Sequence, residues 1–309
     1  MATILITGGT GLIGTALTPM LLSKGYEVII LTRQPDQENT GAVKYANWNV
    51  ESGTIDKDAI ARADYLIHLA GTNVGEKRWT KKRKKEILDS RKKSGELIIK
   101  ALKEIPNKVQ WVLTASGIGW YGPDTKISKQ KGFNENDPHS NDFLGEVCEQ
   151  WEGSLKPVVA LDKRLIIFRQ GIVLSKEGGA FTEFKKPLKF GIAAILGSGK
   201  QVLSWIHIED LCRMYVYALE KKFSGVFNAV APQVISNKNF TLELAKKARG
   251  KFFIPIYVPS FVLKIVLGEM SIEVLKSATV NSEKIKSTGF QFLYPSIEAA
   301  FNNLMTNAK

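Results

Sequence analysis

An α/β fold, a doubly wound parallel sheet followed by a smaller mixed α/β C-terminal domain, is what this sequence predicts. Three observations carry that expectation. Short, continuously apolar runs alternate with helical stretches early in the chain, as expected of parallel strands covered on both faces. A glycine-rich turn follows the first run directly and opens a helix. Beyond about Gly225 the pattern changes to short strand-like pieces mixed with helical ones.

In order, "TILIT" (Thr3–Thr7) reads as the first strand, and "LIGTALTPMLLSKG" as a helix ending at Gly25 despite Pro19. "EVIILT" (Glu27–Thr32), "VKYANW" (Val43–Trp48), "YLIHLAG" (Tyr65–Gly71), "WVLTASG" (Trp111–Gly117) and "RLIIFRQGIVL" (Arg164–Leu174) read as further strands. After the change come the strand-like "VFNAV" and "FFIPIYV", with helices expected over Thr241–Arg249, Ser260–Leu267 and Ser296–Leu304. The expected division is residues 1–232 for the sheet domain and 233–309 for the smaller one.

The chain has 309 residues, 44% of them apolar, enough for a well-buried core. No apolar run approaches the roughly 20 residues of a membrane span, so no membrane partner is expected. Strand-like sequence starts at Thr3, which leaves no room for a signal peptide. Cys148 and Cys212 are the only cysteines, too few to staple a protein of this size. A cytoplasmic location with buried free thiols is the expectation. The three histidines form no cluster with metal-ligand spacing, so no metal is expected.

The turn Gly9-Thr10-Gly11-Leu12-Ile13-Gly14, preceded by Gly8, has the strand–turn–helix setting of a dinucleotide site. The glycines let the backbone approach a pyrophosphate, which then sits at the helix N-terminus, as in a Rossmann fold. The end of the second strand selects the dinucleotide. An acid there would bond the ribose 2′-OH of NAD, whereas an arginine suits the 2′-phosphate of NADP. The chain has Thr32-Arg33-Gln34, and its first acid is Asp36, after a proline. Arg33 presents a planar fork to phosphate, so NADP(H) is favoured over NAD(H).

"TGGTGLIG", "HLAG" and "SWIHIEDL" together resemble the extended short-chain dehydrogenase/reductases, which include nucleotide-sugar epimerases. The stretches around "HLAG", "DSRKK", "GWYG", "FLGEVCEQWE" and "GSGKQVLSWIHIEDL" narrow the resemblance. They are similar to the atypical epimerase-family, cell-division-inhibitor-like branch. The resemblance runs over nearly the whole chain and implies fold and cofactor rather than reaction. It implies that Leu69, Ala70 and Gly71, after the strand ending in His68, border the cofactor, and that Val173 does so too.

Active members of the wider group use Tyr-x-x-x-Lys, the lysine lowering the tyrosine pKa so that it can move a proton. Here Phe143 stands at the tyrosine and Val147 at the lysine, with no lysine from Asn141 to Leu155. Two candidates for the chemistry are left. Ser116 lies where the family's catalytic Ser/Thr often stands, and Tyr121, in "GIGWYG", could reach the nicotinamide. Without a cationic neighbour, Tyr121 would be only about 0.1% phenolate at neutral pH but could still donate a proton. Tyr121 and Trp120 serve equally well as pocket wall. "GSGKQVLSW" lacks the Arg-Asp pair that nucleotide-sugar enzymes carry there, which weighs against a nucleotide-diphosphate sugar. His207, between two isoleucines, reads as structural, and Asp210 as a cap of the helix that follows.

The stretch "KRWTKKRKKEILDSRKK" (77–93) carries ten basic and two acidic residues, +8 of the chain's net +13. On a helix over Thr80–Glu104, Ser94, Ile98, Ala101 and Ile105 fall within about 40° of Ile87, while the lysines fall on the outer face. Arg83 and Arg91 lie only about 40° from the apolar line. Inward arginines need an anionic partner or a route to water. Arg91 is therefore a candidate for the dinucleotide phosphates, a role the family's pattern at this helix also implies, and Glu86 for a ribose hydroxyl. No nucleic-acid module matches the stretch. The sequence thus supports an NADP(H)-binding oxidoreductase or epimerase-like protein acting on an unknown small molecule. The alternative is a catalytically inactive NADP(H) sensor or regulator.

Overall fold

The computed structural model describes residues 1–34 and 41–306. Its centre is an eight-stranded sheet. The strands are β1 (Thr3–Thr7), β2 (Glu27–Thr32), β3 (Val43–Asn49), β4 (Thr54–Ile55), β5 (Tyr65–His68), β6 (Trp111–Gly117), β7 (Arg164–Gln170) and β8 (Gly225–Ala229). Their spatial order is β8-β7-β6-β5-β1-β2-β3-β4, and every pairing is parallel except that of β3 with β4. The expected Rossmann-like α/β fold is what the chain adopts.

β1 is buried along its whole length because helices cover both faces of the sheet. Alternate side chains enter different cores. Ile4 and Ile6 join Leu17 and Leu21 of helix α1 (Leu12–Ser23) on one face. Leu5 joins Ile98 and Leu102 of helix α2 (Lys81–Glu104) on the other. This two-sided burial is why the strand shows no polar alternation. Strand order reverses direction between β1 and β5, so a crevice opens where the connections leave their carboxyl ends.

From Lys81 onward the basic stretch forms the first half of α2. Thr80 caps it by accepting from the Arg83 N–H at 3.1 Å. Ile87, Ser94, Ile98 and Ala101 are buried, as are Arg83 and Arg91, whereas Lys81, Lys82, Lys85, Lys92, Lys100 and Lys103 face solvent. The charge run is therefore the solvated side of a core helix.

Three local readings need correction. The run Arg164–Leu174 is broken at Gly171, where a Cβ would lie 2.7 Å from the Ser204 carbonyl oxygen. That close crossing turns the chain, and Ile172–Leu174 pairs with Trp205–His207 instead of continuing β7. "VFNAV", read with the pieces after the pattern change, supplies edge strand β8 of the main sheet. Asp210 does not cap the following helix α4 (Ile208–Lys221). His207 does, accepting from Glu209 N at 3.1 Å, while Asp210 accepts from the Leu293 and Tyr294 N–H groups at 2.8 Å each. Asp210 thus ties the C-terminal segment to the sheet domain.

A further core joins Leu174, Phe181, Ala193 and Trp205 to Phe240, Leu244, Phe301 and Leu304. The expected 232/233 division falls between Ala231 and Ile235, which share that core. Cys148 and Cys212 are buried free thiols. Among the described residues no helix is long and apolar enough to cross a membrane.

Candidate cofactor site and the polar network beside it

The glycine turn leaves β1 and enters α1 under tight steric constraint. Gly8 sits at φ 71°, and a Cβ there would be 2.8 Å from backbone atoms of both Leu69 and Ala70. A Cβ on Gly9 would be 2.8 Å from the Ile30 side chain, and one on Gly14 would be 2.4 Å from Gly9 Cα. Only glycines let three backbone segments meet this closely. Gly11 occupies the N-cap of α1 without a capping side chain, so the first N–H groups of the helix face the crevice unpaired by any side-chain cap. Thr10 and Gly11 lie exposed in the turn.

The other cofactor candidates converge on the same rim. Leu69 and Ala70 follow β5 against Gly8. Thr32 ends β2, and the exposed Arg33 follows it. Asp36 lies outside the described residues. Leu12 reaches Gly179, where a Cβ would meet its Cδ2 at 3.3 Å, and Val173 O lies 3.7 Å from that same point. Ile13 and Val173 both pack against the core beneath α1.

The two inward arginines of α2 have different surroundings. Arg83 has its charge compensated within the chain, donating to Asn73 O at 2.7 Å and pairing with Glu76 at 3.0 Å and Glu86 at 3.3 Å, although its buried Nε has no partner among the described residues. Glu86 is exposed and spends one oxygen on that pair. Arg91 is 9% exposed and forms no ion pair among the described residues. It donates only to the carbonyls of Thr72 and Ile87, at 3.0 and 3.1 Å, and stacks over Trp151 at 4.8 Å. Burial pulls its pKa down to about 10, so it is a cation at neutral pH. Its guanidinium lies against Gly71, where a Cβ would be 3.0 Å from Cζ.

Below the turn, fully buried His68 bonds Thr7 Oγ1 through Nδ1 at 2.6 Å and Ser94 Oγ through Nε2 at 3.2 Å. Burial, then the nearby Arg91 charge, depress its pKa to about 3, so the imidazole is neutral. The Thr7–His68–Ser94 chain joins β1, β5 and α2 directly under the crevice.

Ser116 and Tyr121 meet in a second network. Ser116 Oγ donates to Glu152 Oε1 at 2.7 Å. Glu152, on helix α3 (Phe143–Leu155), is held by Arg169 of β7 through Nε at 2.9 Å and Nη2 at 3.0 Å. Both side chains of that pair are 3% exposed. Burial acts to lower the Arg169 pKa, but the bonds to Glu152 outweigh it and hold the value above the ordinary one. Arg169 Nη1 donates to Tyr121 OH at 3.2 Å, and the Tyr121 hydroxyl donates to Asn228 Oδ1 at 2.7 Å. Trp120 lies flat on the Arg169 guanidinium at 3.6 Å. Tyr121 is 0% exposed, stacks on Phe133 at 5.0 Å, and burial raises its pKa well above the ordinary phenol value. Both candidate hydroxyls are therefore committed to internal partners.

Residues 4–142 match the model of the NAD dependent epimerase/dehydratase family, and residues 258–304 match a domain of unknown function, DUF1731. An epimerase family protein of Staphylococcus saprophyticus, SSP1921, is 34% identical over 307 residues, covering 97% of this chain and 98% of the relative. The mouse (Mus musculus) epimerase family protein SDR39U1 is 34% identical over 98% of this chain and 99% of its own. The chain belongs to the epimerase family. The crystal structure of human epimerase family protein SDR39U1 (isoform 2) with NADPH superposes at a TM-score of 0.84, with 30% identity over 98% of both chains. Within the family the chain is an atypical extended short-chain dehydrogenase/reductase.

Phe143 and Val147, expected from the resemblance at the Tyr-x-x-x-Lys positions, are packing residues. Phe143 meets Trp79 edge-on at 5.0 Å and lies under Lys84 at 4.9 Å, and Val147 is buried beside them. Sequence reasoning missed Glu152, Arg169 and Asn228. A charged residue inside the apolar run "RLIIFRQ" was the available signal for Arg169, because a charge in a central strand must find a partner. Among the described residues no group of three His, Cys, Asp or Glu side chains is placed to hold a metal.

The buried neutral His68 makes stability depend on pH. Its folded value, about 3, lies below the ordinary 6.5, so its contribution is complete above about pH 6.5 and is lost as pH falls from there toward 3. Urea unfolding at pH 5.5 and 7.5 should show wild-type stability falling by about 1 kcal/mol more than that of His68→Gln. Equal pH slopes in the two proteins would remove His68 as the cause.

Proposed function

We propose that the chain binds NADP(H), with NAD(H) the weaker ligand, in the crevice above β1 and β5. It acts there as an oxidoreductase- or epimerase-like protein on a small molecule, without a Tyr-x-x-x-Lys pair. One observation carries the cofactor reading: Arg91 is a buried cation beside Gly71 that lacks a carboxylate partner among the described residues. A desolvated charge needs compensation, and a dinucleotide phosphate supplies it. The NADPH in the human relative's crystal supports the same reading.

In this proposal Gly8, Gly9, Thr10 and Gly11 keep side chains out of the pyrophosphate's path. The N–H groups of Leu12, Ile13 and Gly14 receive its charge at the α1 N-terminus. Thr32 and Arg33 take the adenosine 2′-phosphate. Leu69, Ala70 and Gly71 form the opposite wall, Glu86 offers its second oxygen to a ribose hydroxyl, and Val173 borders the nicotinamide end. When bound, the dinucleotide supplies or accepts a hydride. The committed hydrogen bonds of Tyr121 weigh toward the wall role rather than proton donation. Ser116, hydrogen-bonded to the Glu152 carboxylate, is then the better candidate to assist at the end of β6. The same commitments, with Phe143 and Val147 at the catalytic positions, favour a second reading, in which the protein binds NADP(H) and senses it without turnover.

Arg91→Ala should weaken NADPH by about 10- to 100-fold in calorimetry at constant salt, whereas Lys92→Ala with Lys93→Ala should change it less than about twofold. A lysine pair more damaging than Arg91 would overturn the phosphate assignment. Arg33→Asp should weaken NADPH by roughly 2–4 kcal/mol and NADH much less, and equal losses would remove Arg33 as selector. Tyr121→Phe leaves Asn228 and Arg169 short of a partner, so it should lower stability by about 1–3 kcal/mol while NADPH affinity holds. NADPH oxidation against aldehydes, ketones and quinones then separates the readings. A 10²–10⁴-fold loss of turnover in that variant would restore Tyr121 as proton donor. Tight NADPH binding with no substrate reduced would favour the sensor.

A further inference from the structure

The segment that follows the helix Asn237–Arg249, together with the piece around Phe190, carries large apolar side chains that the fold leaves exposed. Phe190, Phe252, Ile254, Phe261, Ile265 and Val266 are each between 60 and 85% exposed. They belong to neighbouring pieces. The Gly191 turn abuts Arg249 and Phe252, where a Cβ would lie 3.7 Å from Arg249 Nη2 and 3.9 Å from Phe252 O. The strand Ile254–Val258 pairs with Ile192–Leu196, and the helix Ser260–Leu267 follows with Leu263 as its buried residue. Phe261 and Ile265 stand one turn apart on the outer side of that helix. A concentration of exposed large apolar side chains on one segment marks a surface that meets something other than water.

The surrounding charge indicates what that is. Lys189, Lys247, Arg249, Lys251 and Lys264, on the same pieces or next to them in the chain, are exposed, and none forms an ion pair among the described residues. The acids on the same and adjoining pieces, Glu183, Glu243 and Glu269, are already paired with Lys186, Lys246 and Lys84. We infer that this face docks on the surface of an anionic lipid bilayer, with Phe261 and Ile265 entering the headgroup–acyl boundary and the lysine rim facing lipid phosphates.

Two alternatives fit the geometry less well. Addition of a partner strand needs N–H groups along the free edge. Ile254 N donates to Gly191 O and Val258 O accepts from Gly197 N, so residues 254, 256 and 258 point toward the neighbouring strand. That leaves Pro255 and Tyr257 on the outer edge, and Pro255 has no N–H to give. A second copy across a two-fold axis would bring two unpaired basic rims together, which like-charge repulsion opposes. A bilayer supplies both the apolar layer and the negative charge. Because no described helix is long and apolar enough to cross a membrane, the protein would lie on the membrane rather than span it through a helix. The sequence expectation of no membrane partner rested on spanning runs alone and did not address this mode.

The test is co-sedimentation of the full chain with vesicles at about 0.1 M salt, where generic long-range attraction is largely screened. Vesicles of phosphatidylcholine with roughly 30% phosphatidylglycerol should bind the protein, and pure phosphatidylcholine should not. Phe261→Ser with Ile265→Ser should reduce partitioning by about tenfold or more, as should Lys247→Glu with Lys251→Glu. Lys100→Glu with Lys103→Glu, exposed at the far end of the basic helix from the Lys84–Glu269 pair, should leave it within about twofold. All substituted side chains are solvent-facing, and circular dichroism with a thermal melt confirms that each variant folds. Absence of binding to the anionic vesicles overturns the inference. Wild-type binding by the Phe261/Ile265 variant also overturns it, leaving only generic polycation attraction. So does a dimer in sedimentation velocity that the Phe261/Ile265 changes dissociate while vesicle binding is absent, since a second copy would then be the occupant.

Discussion

The Glu152–Arg169 pair is the interaction on which the carboxyl end of the sheet depends. It is bidentate and desolvated on both sides, so neither partner can be removed without leaving a buried charge, at a cost of about 3–5 kcal/mol. Through it α3 is joined to β7, and through Ser116 to β6. Through Tyr121 and Asn228 it reaches the carbonyls of Phe133 and Asn281, and so the C-terminal segment. Five parts of the chain that are distant in sequence take their relative positions from one ion pair. In this network the hydroxyls of Ser116 and Tyr121 donate to Glu152 and Asn228 within the chain.

The crevice on the other side of β5 is built on the opposite principle. Arg83 is neutralised by Glu76 and Glu86, whereas Arg91, two turns along the same helix, is left with two carbonyls and a tryptophan face. An internal carboxylate at Arg91 would have stabilised the unliganded protein and competed with any phosphate. The incomplete compensation leaves a buried charge at some cost in stability, a cost that the proposed dinucleotide phosphate would relieve. The uncapped N-terminus of α1 adds unpaired donors to the same rim, and the glycines hold the backbone there close enough to use them.

Much of this was legible in the sequence. The alternation of buried runs and helices set the parallel sheet, because strands covered on both faces are mostly apolar, and a polar residue in them must find a buried partner. The glycine turn and its partner "HLAG" were legible because backbone proximity admits no side chain, and that exclusion is written in residue type. The inward placement of Arg83 and Arg91 followed from helical period alone. Period could not say which of the two would be neutralised, since Glu76 comes from a loop whose path the helix does not determine.

What only the tertiary structure decided are the contacts between segments far apart in the chain. Asp210 has the right residue type and place for a helix cap, yet its oxygens serve Leu293 and Tyr294, more than eighty residues away. Tyr121 has a phenol that could serve chemistry, yet Arg169 and Asn228 engage it from two other strands. The run through Gly171 reads as one strand until Ser204 crosses it. The sequence by itself determined the period, the turns and the burial of each element, because these depend on neighbours within a few residues. It did not determine which polar group meets which, because a hydrogen bond depends on where the fold brings its second partner.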